Sequence, residues 1–337
     1  MRKWISIIIA ASVVLVLSWR VWLPWAVEGV LREQRGVSLR QWKVLLLQST
    51  DPTLRGIGLY MAKPPEEGEE HFLYFLPTEK EAAVAEDDAI KAANLSALSG
   101  IYTQHNGTAI ANATDYDVSD LLDRSVPLPK FTPGKPSVLI YHTHTTECYR
   151  NSDGISNTRN EAQNVIAVGE AMKQIFEDAG YPTIHLKEIF NQPDFSGAYT
   201  HSRAKVEEVL KENPTIQVVI DVHRDAISSN GVDYYPVTTV NGRSAAQVMI
   251  VCGTDSKGLK HPGWRENFTY ALQLSRRMGT LYGELSRPVN LRRDRFNTHF
   301  TPYTLLLEVG SAANTLDQAV YGGELTAKAM IDLWKNA

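Results

Sequence analysis

Imidazole and carboxylate side chains follow the ends of three apolar segments in this sequence. The first end carries a His-x-x-Glu spacing, the second a His, and the third a Glu directly after three leucines. Such a set supplies what a catalytic zinc ion needs: three protein ligands, one open position and one carboxylate acting as general base. We therefore predict a zinc hydrolase site whose ligands are His144, Glu147 and His223 and whose base is Glu308.

The predicted roles follow from zinc chemistry. A bound Zn²⁺ ion lowers the pKa of its water and polarises a scissile carbonyl, while Glu308 takes the water proton and passes it to the leaving amine. An ionised Glu308 behind an apolar strand would be costly to bury without a functional partner, which favours this role. Arg224 is a candidate to stabilise the oxyanion or to bind a substrate carboxylate.

Two of the ligand assignments have rivals in the sequence. Glu161 precedes the helix that follows the first strand and could replace Glu147, although an acidic residue also suits a helix N-terminus with no metal present. The His-x-x-Glu spacing favours Glu147, because one loop can place both groups around a single ion. His142 competes with His144, which lies closer to that loop.

Buried strands that alternate with amphipathic helices must position these residues. The pattern predicts an α/β fold with a doubly wound, mostly parallel sheet and helices on both faces. Sites in such sheets form outside the carboxyl ends of the strands. The predicted strands span 138–141, 183–186, 217–222, 247–252 and 303–309, and the predicted helices span 162–179, 202–211, 265–285 and 315–334.

The chain before residue 130 has a different character. Two basic residues precede a long apolar run, which predicts a membrane anchor over 1–27 with a cytoplasmic N-terminus and an extracytoplasmic catalytic domain. A cleaved signal peptide is the alternative, and the poor match of Leu17-Ser18-Trp19-Arg20 to a cleavage site favours the anchor. Residues 28–129 are interpreted as a stalk or accessory segment with an Ala-rich helix over 79–95. Prolines then mark a domain boundary near Lys130, so that the catalytic domain spans 130–337.

Composition excludes several classes of function. The 337 residues carry a net charge of −4 with acids and bases spread along the chain, which leaves no basic surface for nucleic acid. Only two cysteines, Cys148 and Cys252, are present, and this excludes a thiolate zinc site and a disulfide framework. Both are interpreted as packing residues, and any metal must be held by His and carboxylate groups.

Several separated motifs surround the candidate residues. They are YHTHTTECY at 141–149, DVHRD at 221–225, VCGTD at 251–255 with HPGWREN at 261–267, and LEVGSAAN at 307–314. Together they resemble the stage II sporulation protein P family from about Lys130 to the C-terminus. That family resembles zinc-dependent N-acetylmuramoyl-L-alanine amidases, which implies an amidase-like doubly wound fold.

The resemblance implies a substrate and a setting. The substrate would be peptidoglycan, cleaved at the amide between the lactyl group of N-acetylmuramic acid and L-alanine, with additional endopeptidase cleavage of peptide cross-links. The setting would be the septum and the engulfing mother-cell membrane during endospore formation, with stage II sporulation proteins D and M as partners. The resemblance supports His144 and His223 as ligands and Glu308 as acid/base, whereas the spacing from Glu161 to Asn164 is one residue short of the amidase pattern.

Two other functions fit the same residues. A zinc carboxypeptidase-like exopeptidase would use the same ligands and base, with Arg224 capturing a free substrate carboxylate. A non-catalytic, wall-binding scaffold of the sporulation membrane complex would keep the fold with a decayed site. Muropeptide products and zinc content separate these alternatives.

Overall fold

The computed structural model describes residues 90–95, 103–150, 154, 156–229 and 232–336. All of them belong to one unit, His71–Ala337. The predicted anchor over 1–27 lies outside the described residues, and among the described ones no helix has the length and apolar character needed to cross a membrane.

The strands are β1 Ile90–Ala93, β2 Thr103–His105, β3 Thr108–Asn112, β4 Val138–Tyr141, β5 Thr183–His185, β6 Val218–Asp225, β7 Ser228–Ser229, β8 Val232–Val240, β9 Arg243–Ala246, β10 Val248–Cys252, β11 Val289–Leu291 and β12 Tyr303–Ser311. The helices are α1 Val165–Asp178, α2 Ala198–Glu212, α3 Trp264–Tyr282 and α4 Leu316–Lys335.

Local sequence explains where two of the helices begin. Asn164 precedes α1, and its side chain accepts a hydrogen bond from the backbone N–H of Ile166. Thr315 precedes α4 and forms a reciprocal capping box with Gln318. These caps satisfy backbone donors that the first helical turn leaves free.

Eight strands form the main sheet in the order β2-β3-β11-β10-β12-β6-β4-β5. Within the described residues, β2–β3 and β10–β12 are antiparallel pairs and the other neighbours in this sheet are parallel. The predicted α/β fold with a mostly parallel sheet is therefore confirmed. Each strand and helix predicted after residue 130 has a counterpart within a few residues of its predicted bounds.

Helices cover both faces of this sheet, as predicted. Ile140 and Ile220 face a large core that includes residues of α1, α3 and α4. Leu139 and Val219, one position away on the same strands, pack with α2 on the opposite face. Strand alternation thus directs neighbouring side chains into different layers.

Part of the segment before residue 130 belongs to the same sheets. β2 and β3 form one edge of the main sheet through parallel pairing of β3 with β11. β1 pairs in parallel with β8 in a second, four-stranded sheet. The helix predicted over 79–95 is wrong across Ile90–Ala93, which form β1. The division of 28–129 from the catalytic domain stays a prediction.

Three parallel neighbours place the candidate residues at one edge. β4, β6 and β12 are adjacent and run in the same direction, with Tyr141 beside Asp221 and Glu308 beside His223. Their carboxyl ends therefore meet, as the sequence predicted. The geometry at that edge decides which side chains can act together.

Candidate active site

His144 lies in the turn that follows β4. The backbone N–H of Glu147 donates to the carbonyl of His144 at 3.0 Å, which closes the turn and places both residues in one loop. His144 is 3% exposed. It stacks on Phe195 with ring centroids 4.3 Å apart and meets Tyr199 of α2 edge-on at 5.5 Å. Burial lowers the pKa of His144 to about 4, so its imidazole is neutral and suited to bind a metal.

His223 brings a second imidazole to this loop from the end of β6. Its ring centroid lies 5.3 Å from that of His144. Its Nδ1 atom lies 3.6 Å from Oε2 of Glu147. Two ligand atoms of one tetrahedral zinc ion are about 3.4 Å apart, given zinc–nitrogen and zinc–oxygen bonds near 2.1 Å. The His223–Glu147 spacing is close to that value.

Asp221 lies beside the other nitrogen of His223, although that nitrogen has no hydrogen bond of acceptable geometry within the described residues. Its Oδ1 atom lies 2.9 Å from Nε2 of His223. Burial acts to lower the pKa of His223, but three neighbouring carboxylates outweigh it and raise that pKa to about 10. In order of effect these are Asp221, Glu147 and Glu308. These carboxylates favour the protonated imidazole, which must lose its proton before it can bind a metal.

Glu308 lies beside His223 on the neighbouring strand. The two residues are register partners in the parallel β6–β12 pair, so their side chains leave the sheet on the same side. Glu308 is 2% exposed. The structure thus brings together all four residues predicted as ligands and base.

Arg224 binds the loop that carries Glu147. Its backbone N–H donates to Oε2 of Glu147 at 3.2 Å, its Nε donates to the carbonyl of Cys148 at 3.2 Å, and its Nη2 donates to that of Ser156 at 2.9 Å. These bonds hold the loop against β6. The predicted role of Arg224 toward substrate stays a prediction.

The two rival residues lie elsewhere. His142 faces α1, where its Nδ1 contacts the carbonyl oxygen of Val222 at 2.9 Å and its Nε2 contacts Nε2 of His185 at 2.8 Å. It diverges from His144 because β4 ends at Tyr141 and the turn after it breaks the strand alternation. The Glu161 side chain is 57% exposed and lies 3.8 Å from Nζ of Lys187.

Sequence reasoning missed three residues of this site: Asp221, Phe195 and Tyr199. Asp221 was detectable, because position i and position i+2 of a strand share a face and His223 was already a candidate. Phe195 and Tyr199 approach from the segment before α2 and from α2 itself. No local spacing pattern connects them to His144.

The donor types at this edge fit zinc. Two imidazoles and a carboxylate from two strand ends, with a second carboxylate on the far nitrogen of one imidazole, are the groups from which catalytic zinc sites are built. Across the described part of the chain, however, no group of three or more His, Cys, Asp or Glu side chains is arranged to hold a metal ion. The residues thus supply the donor set, while the side chains do not form a closed ligand group.

Comparison with known proteins identifies the family. The model of stage II sporulation protein P matches residues 60–331. The chain belongs to the stage II sporulation protein P family. A curated member, stage II sporulation protein P of Bacillus subtilis (strain 168), is 29% identical over 225 residues, which are 62% of this chain and 54% of that protein. The chain therefore spans about half the length of this relative, and the match confirms the resemblance seen in the motifs.

Solved amidase structures are more distant. The N-acetylmuramoyl-L-alanine amidase AmiC2 of Nostoc punctiforme has a TM-score of 0.36 at 12% identity, covering 60% of this chain and 97% of that one. The CwlD amidase from Clostridioides difficile, solved in complex with the GerS lipoprotein, has a TM-score of 0.38 at 13% identity, covering 59% and 96%. Both TM-scores are below 0.5, and the amidase-like form of the fold stays a prediction.

Proposed function

We propose that this chain is a zinc-dependent peptidoglycan hydrolase of endospore formation. The observation that carries the proposal is the convergence of two imidazoles and two carboxylates at the carboxyl ends of β4, β6 and β12. Membership of the stage II sporulation protein P family supports the cell wall as the place of action. The zinc ligands in this proposal are His144, Glu147 and His223.

Each residue of the proposed site has a separate role in hydrolysis. A bound zinc ion supplies Lewis acidity and lowers the pKa of water. Glu308, beside the ligand His223, accepts a proton from the attacking water and delivers it to the leaving amine. Phe195 and Tyr199 line one side of the His144 imidazole and keep water from surrounding it. Arg224 fixes the loop that carries Glu147.

The bond cleaved is the amide between the lactyl group of N-acetylmuramic acid and L-alanine, with peptide cross-links as second substrates. The protein is anchored by residues 1–27 as a single-pass protein of the mother-cell membrane and septum, with the hydrolase on the extracytoplasmic side. Stage II sporulation proteins D and M are its partners. These parts rest on the family resemblance and on the apolar N-terminal run.

The test measures zinc content and muropeptide products together. We expect the full-length chain to bind about one zinc ion and to release intact stem peptides from purified sacculi. The full chain is needed because β2 and β3, which precede residue 130, pair with the main sheet. Removal of terminal residues alone would support the exopeptidase, and a chain without zinc that binds sacculi would support the scaffold.

Variants of the ligand set assign the metal. Glu147→Gln is expected to lose zinc, and the matched change Glu161→Gln is expected to keep it, because Glu161 is exposed beside Lys187. The reverse result would give the third ligand position to Glu161. Full hydrolysis by His223→Ala would contradict zinc catalysis at this site.

A further inference from the structure

Large apolar side chains are exposed in the segment that joins β5 to α2, residues 186–197. Four such side chains are exposed in the described part of the chain, and two of them, Ile189 and Phe195, belong to this segment. Phe195 is 49% exposed although its ring stacks on His144. Exposed apolar surface beside a candidate site is typical of a ligand-binding surface. The exposed part of Phe195 is therefore a candidate binding surface.

Hydrogen bonds hold this β5–α2 segment against the loop that follows β4. The Thr145 hydroxyl oxygen lies 2.8 Å from the carbonyl oxygen of Glu188 and accepts a hydrogen bond from the backbone N–H of Phe190 at 3.2 Å. The side-chain amide of Asn191 donates to the Thr146 hydroxyl at 2.9 Å. The segment thus has a fixed position beside the loop that carries two of the proposed ligands.

The backbone around Phe195 is fixed as well. Oδ1 of Asp194 accepts hydrogen bonds from the backbone N–H of Ser196 at 3.1 Å and from its hydroxyl at 2.7 Å. The backbone N–H of Ala198, the first residue of α2, donates to the carbonyl of Phe195 at 3.3 Å. A ring held in this way loses little conformational entropy when a ligand covers it.

His144 covers one face of the Phe195 ring. The two ring planes are inclined by 11° and their centroids are 4.3 Å apart, so the rings are stacked face to face. The exposure of Phe195 then comes from the opposite face and from the ring edge. A group that covered this free face would be separated from His144 by the phenyl ring alone.

The chemistry of an aromatic face selects between the two sides of the proposed bond. The face of a phenyl ring carries partial negative charge, so it favours C–H groups and disfavours carboxylates. One side of the amide bears the pyranose ring of N-acetylmuramic acid, which is uncharged and presents C–H groups. The other side bears the stem peptide, with the small methyl group of L-alanine next to the bond and carboxylates further along. The exposed carboxylate of Asp194, next to Phe195, adds to the preference for the sugar.

We propose that Phe195 is a sugar-binding residue, whose free face stacks on the pyranose ring of N-acetylmuramic acid beside the scissile amide. The inference rests on the proposed function. It concerns recognition of the substrate, and Phe195 takes no part in proton transfer. The stem peptide then leaves the site away from the β5–α2 segment.

The experiment measures hydrolysis of two substrates by the full-length chain supplied with zinc. One substrate is an N-acetylmuramoyl stem peptide, and the other is the lactoyl derivative of the same peptide, which has the same amide bond and no sugar ring. The wild type is expected to show a KM about fivefold to tenfold lower for the sugar substrate, which is the size of an aromatic stacking contact.

Phe195→Leu removes the flat face and keeps an apolar side chain against His144. We expect it to raise KM for the sugar substrate by about fivefold to tenfold and KM for the lactoyl peptide by less than about twofold. A change in KM with little change in kcat is the mark of a binding contact that is present before the reaction and during it. Should Phe195→Leu not fold, Phe195→Met decides by the same criteria.

Phe195→Tyr and Leu259→Ala are the controls. Tyrosine keeps the ring, and KM for the sugar substrate is expected to stay within about twofold of the wild type. Leu259 is 55% exposed in the loop after β10, at the opposite edge of the sheet because β10 runs antiparallel to β12. Its loss is expected to change neither KM.

Three outcomes would contradict the proposals, and they differ in which proposal they overturn. If Phe195→Leu raises both KM values equally, or lowers kcat for both substrates at unchanged KM, Phe195 only supports His144 and the inference is overturned. If the wild type hydrolyses both substrates with equal KM, the sugar contact fails while the proposed function stands. If the wild type hydrolyses neither substrate and does not act on sacculi, the proposed function fails, and the inference fails with it.

Discussion

Glu308 and His223 occupy matching positions on adjacent parallel strands. In the proposed mechanism His223 is a ligand and Glu308 is the base: the His223 imidazole also lies against Glu147 and Asp221, whereas Glu308 extends from the next strand. A carboxylate that binds the metal and one that only accepts a proton differ in a measurable way. Removing the first releases zinc, and removing the second leaves zinc bound.

Glu308→Gln is therefore expected to keep zinc and lose hydrolysis. The amide has nearly the same shape as the carboxylate but cannot accept the proton, which reduces turnover by about 10²- to 10⁴-fold. Zinc content and release of stem peptides from sacculi measure the two effects. Glu266→Gln, an isosteric change at an exposed position of α3, serves as control. A Glu308→Gln protein that has lost its zinc would make Glu308 a ligand.

The sequence predicted which residues form the candidate site better than it predicted how their side chains are arranged. We could predict His144, Glu147, His223 and Glu308 because each lies near or just after the carboxyl end of a strand, and these ends meet in the sheet. The direction of His142 was not predictable, because it depends on where β4 stops and the turn begins. Contacts such as that of Phe195 with His144 join segments distant in the chain and arise only when the fold forms.

At the scale of elements, the sequence predicted β4, β5, β6, β10 and β12 of the main sheet and missed β11 and two hairpins. β2–β3 turns at Asn106-Gly107, and β8–β9 turns at Asn241-Gly242. All four turn residues have positive φ, from 48° to 77°. Asn-Gly is the strongest short-range hairpin signal, so both turns were detectable. The strands of these hairpins were not predicted because they are short or partly exposed and lack a continuous apolar run.

The strand β1 forms from residues whose intrinsic propensity favours a helix. Residues 79–95 are rich in Ala, the best helix former, yet Ile90–Ala93 is a strand. Parallel pairing with β8 supplies backbone partners, and Ala93 and Leu95 become buried beside Ile227. Propensity differences of about 0.5 kcal/mol per residue are small beside such pairing and burial. The partner strand is some 140 residues away, and no local window contains it.

Substitution of glycine by alanine is expected to have opposite effects on stability at two helical positions. A Cβ at Gly322 of α4 would overlap the backbone carbonyl of Ala246 in β9, whereas a Cβ at Gly279 of α3 meets nothing within 4 Å. We expect Gly322→Ala to lower the free energy of unfolding by about 1–3 kcal/mol through overpacking. We expect Gly279→Ala to raise it by up to about 1 kcal/mol through helix propensity. Urea unfolding of both variants checks this, and a Gly322→Ala protein as stable as the wild type contradicts the α4–β9 contact.

At the scale of the whole molecule, the fold buries several neutral histidines. Burial lowers the pKa of His142 to about 3 and the pKa values of His185 and His261 to about 4. In the unfolded chain an imidazole has a pKa of about 6.5. The unfolded state therefore binds more protons than the folded one below that pH. His223 is the exception, with its pKa raised to about 10.

The free energy of unfolding is accordingly expected to fall between pH 7 and pH 5. A depressed pKa contributes stability that is present above about pH 6.5 and is lost as the pH falls toward the folded value. Each such histidine contributes about 1–2 kcal/mol to the decrease over this range. His223 acts in the opposite sense: its contribution is fully present below about pH 6.5 and rises by less than about 1 kcal/mol from pH 7 to pH 5, which offsets part of the loss from one of the other histidines.

His261, which is distant in sequence from the proposed zinc ligands, gives this prediction a check at a single residue. The residue is 2% exposed, and its Nε2 contacts the Thr298 hydroxyl at 3.2 Å. Urea unfolding of the full chain at pH 7 and pH 5, with a chelator present so that metal binding does not contribute, measures the change. His261→Gln should reduce the pH dependence by about 1–2 kcal/mol, because glutamine does not titrate. Equal or greater stability of the wild type at pH 5 would mean that protonation of these rings does not oppose the fold.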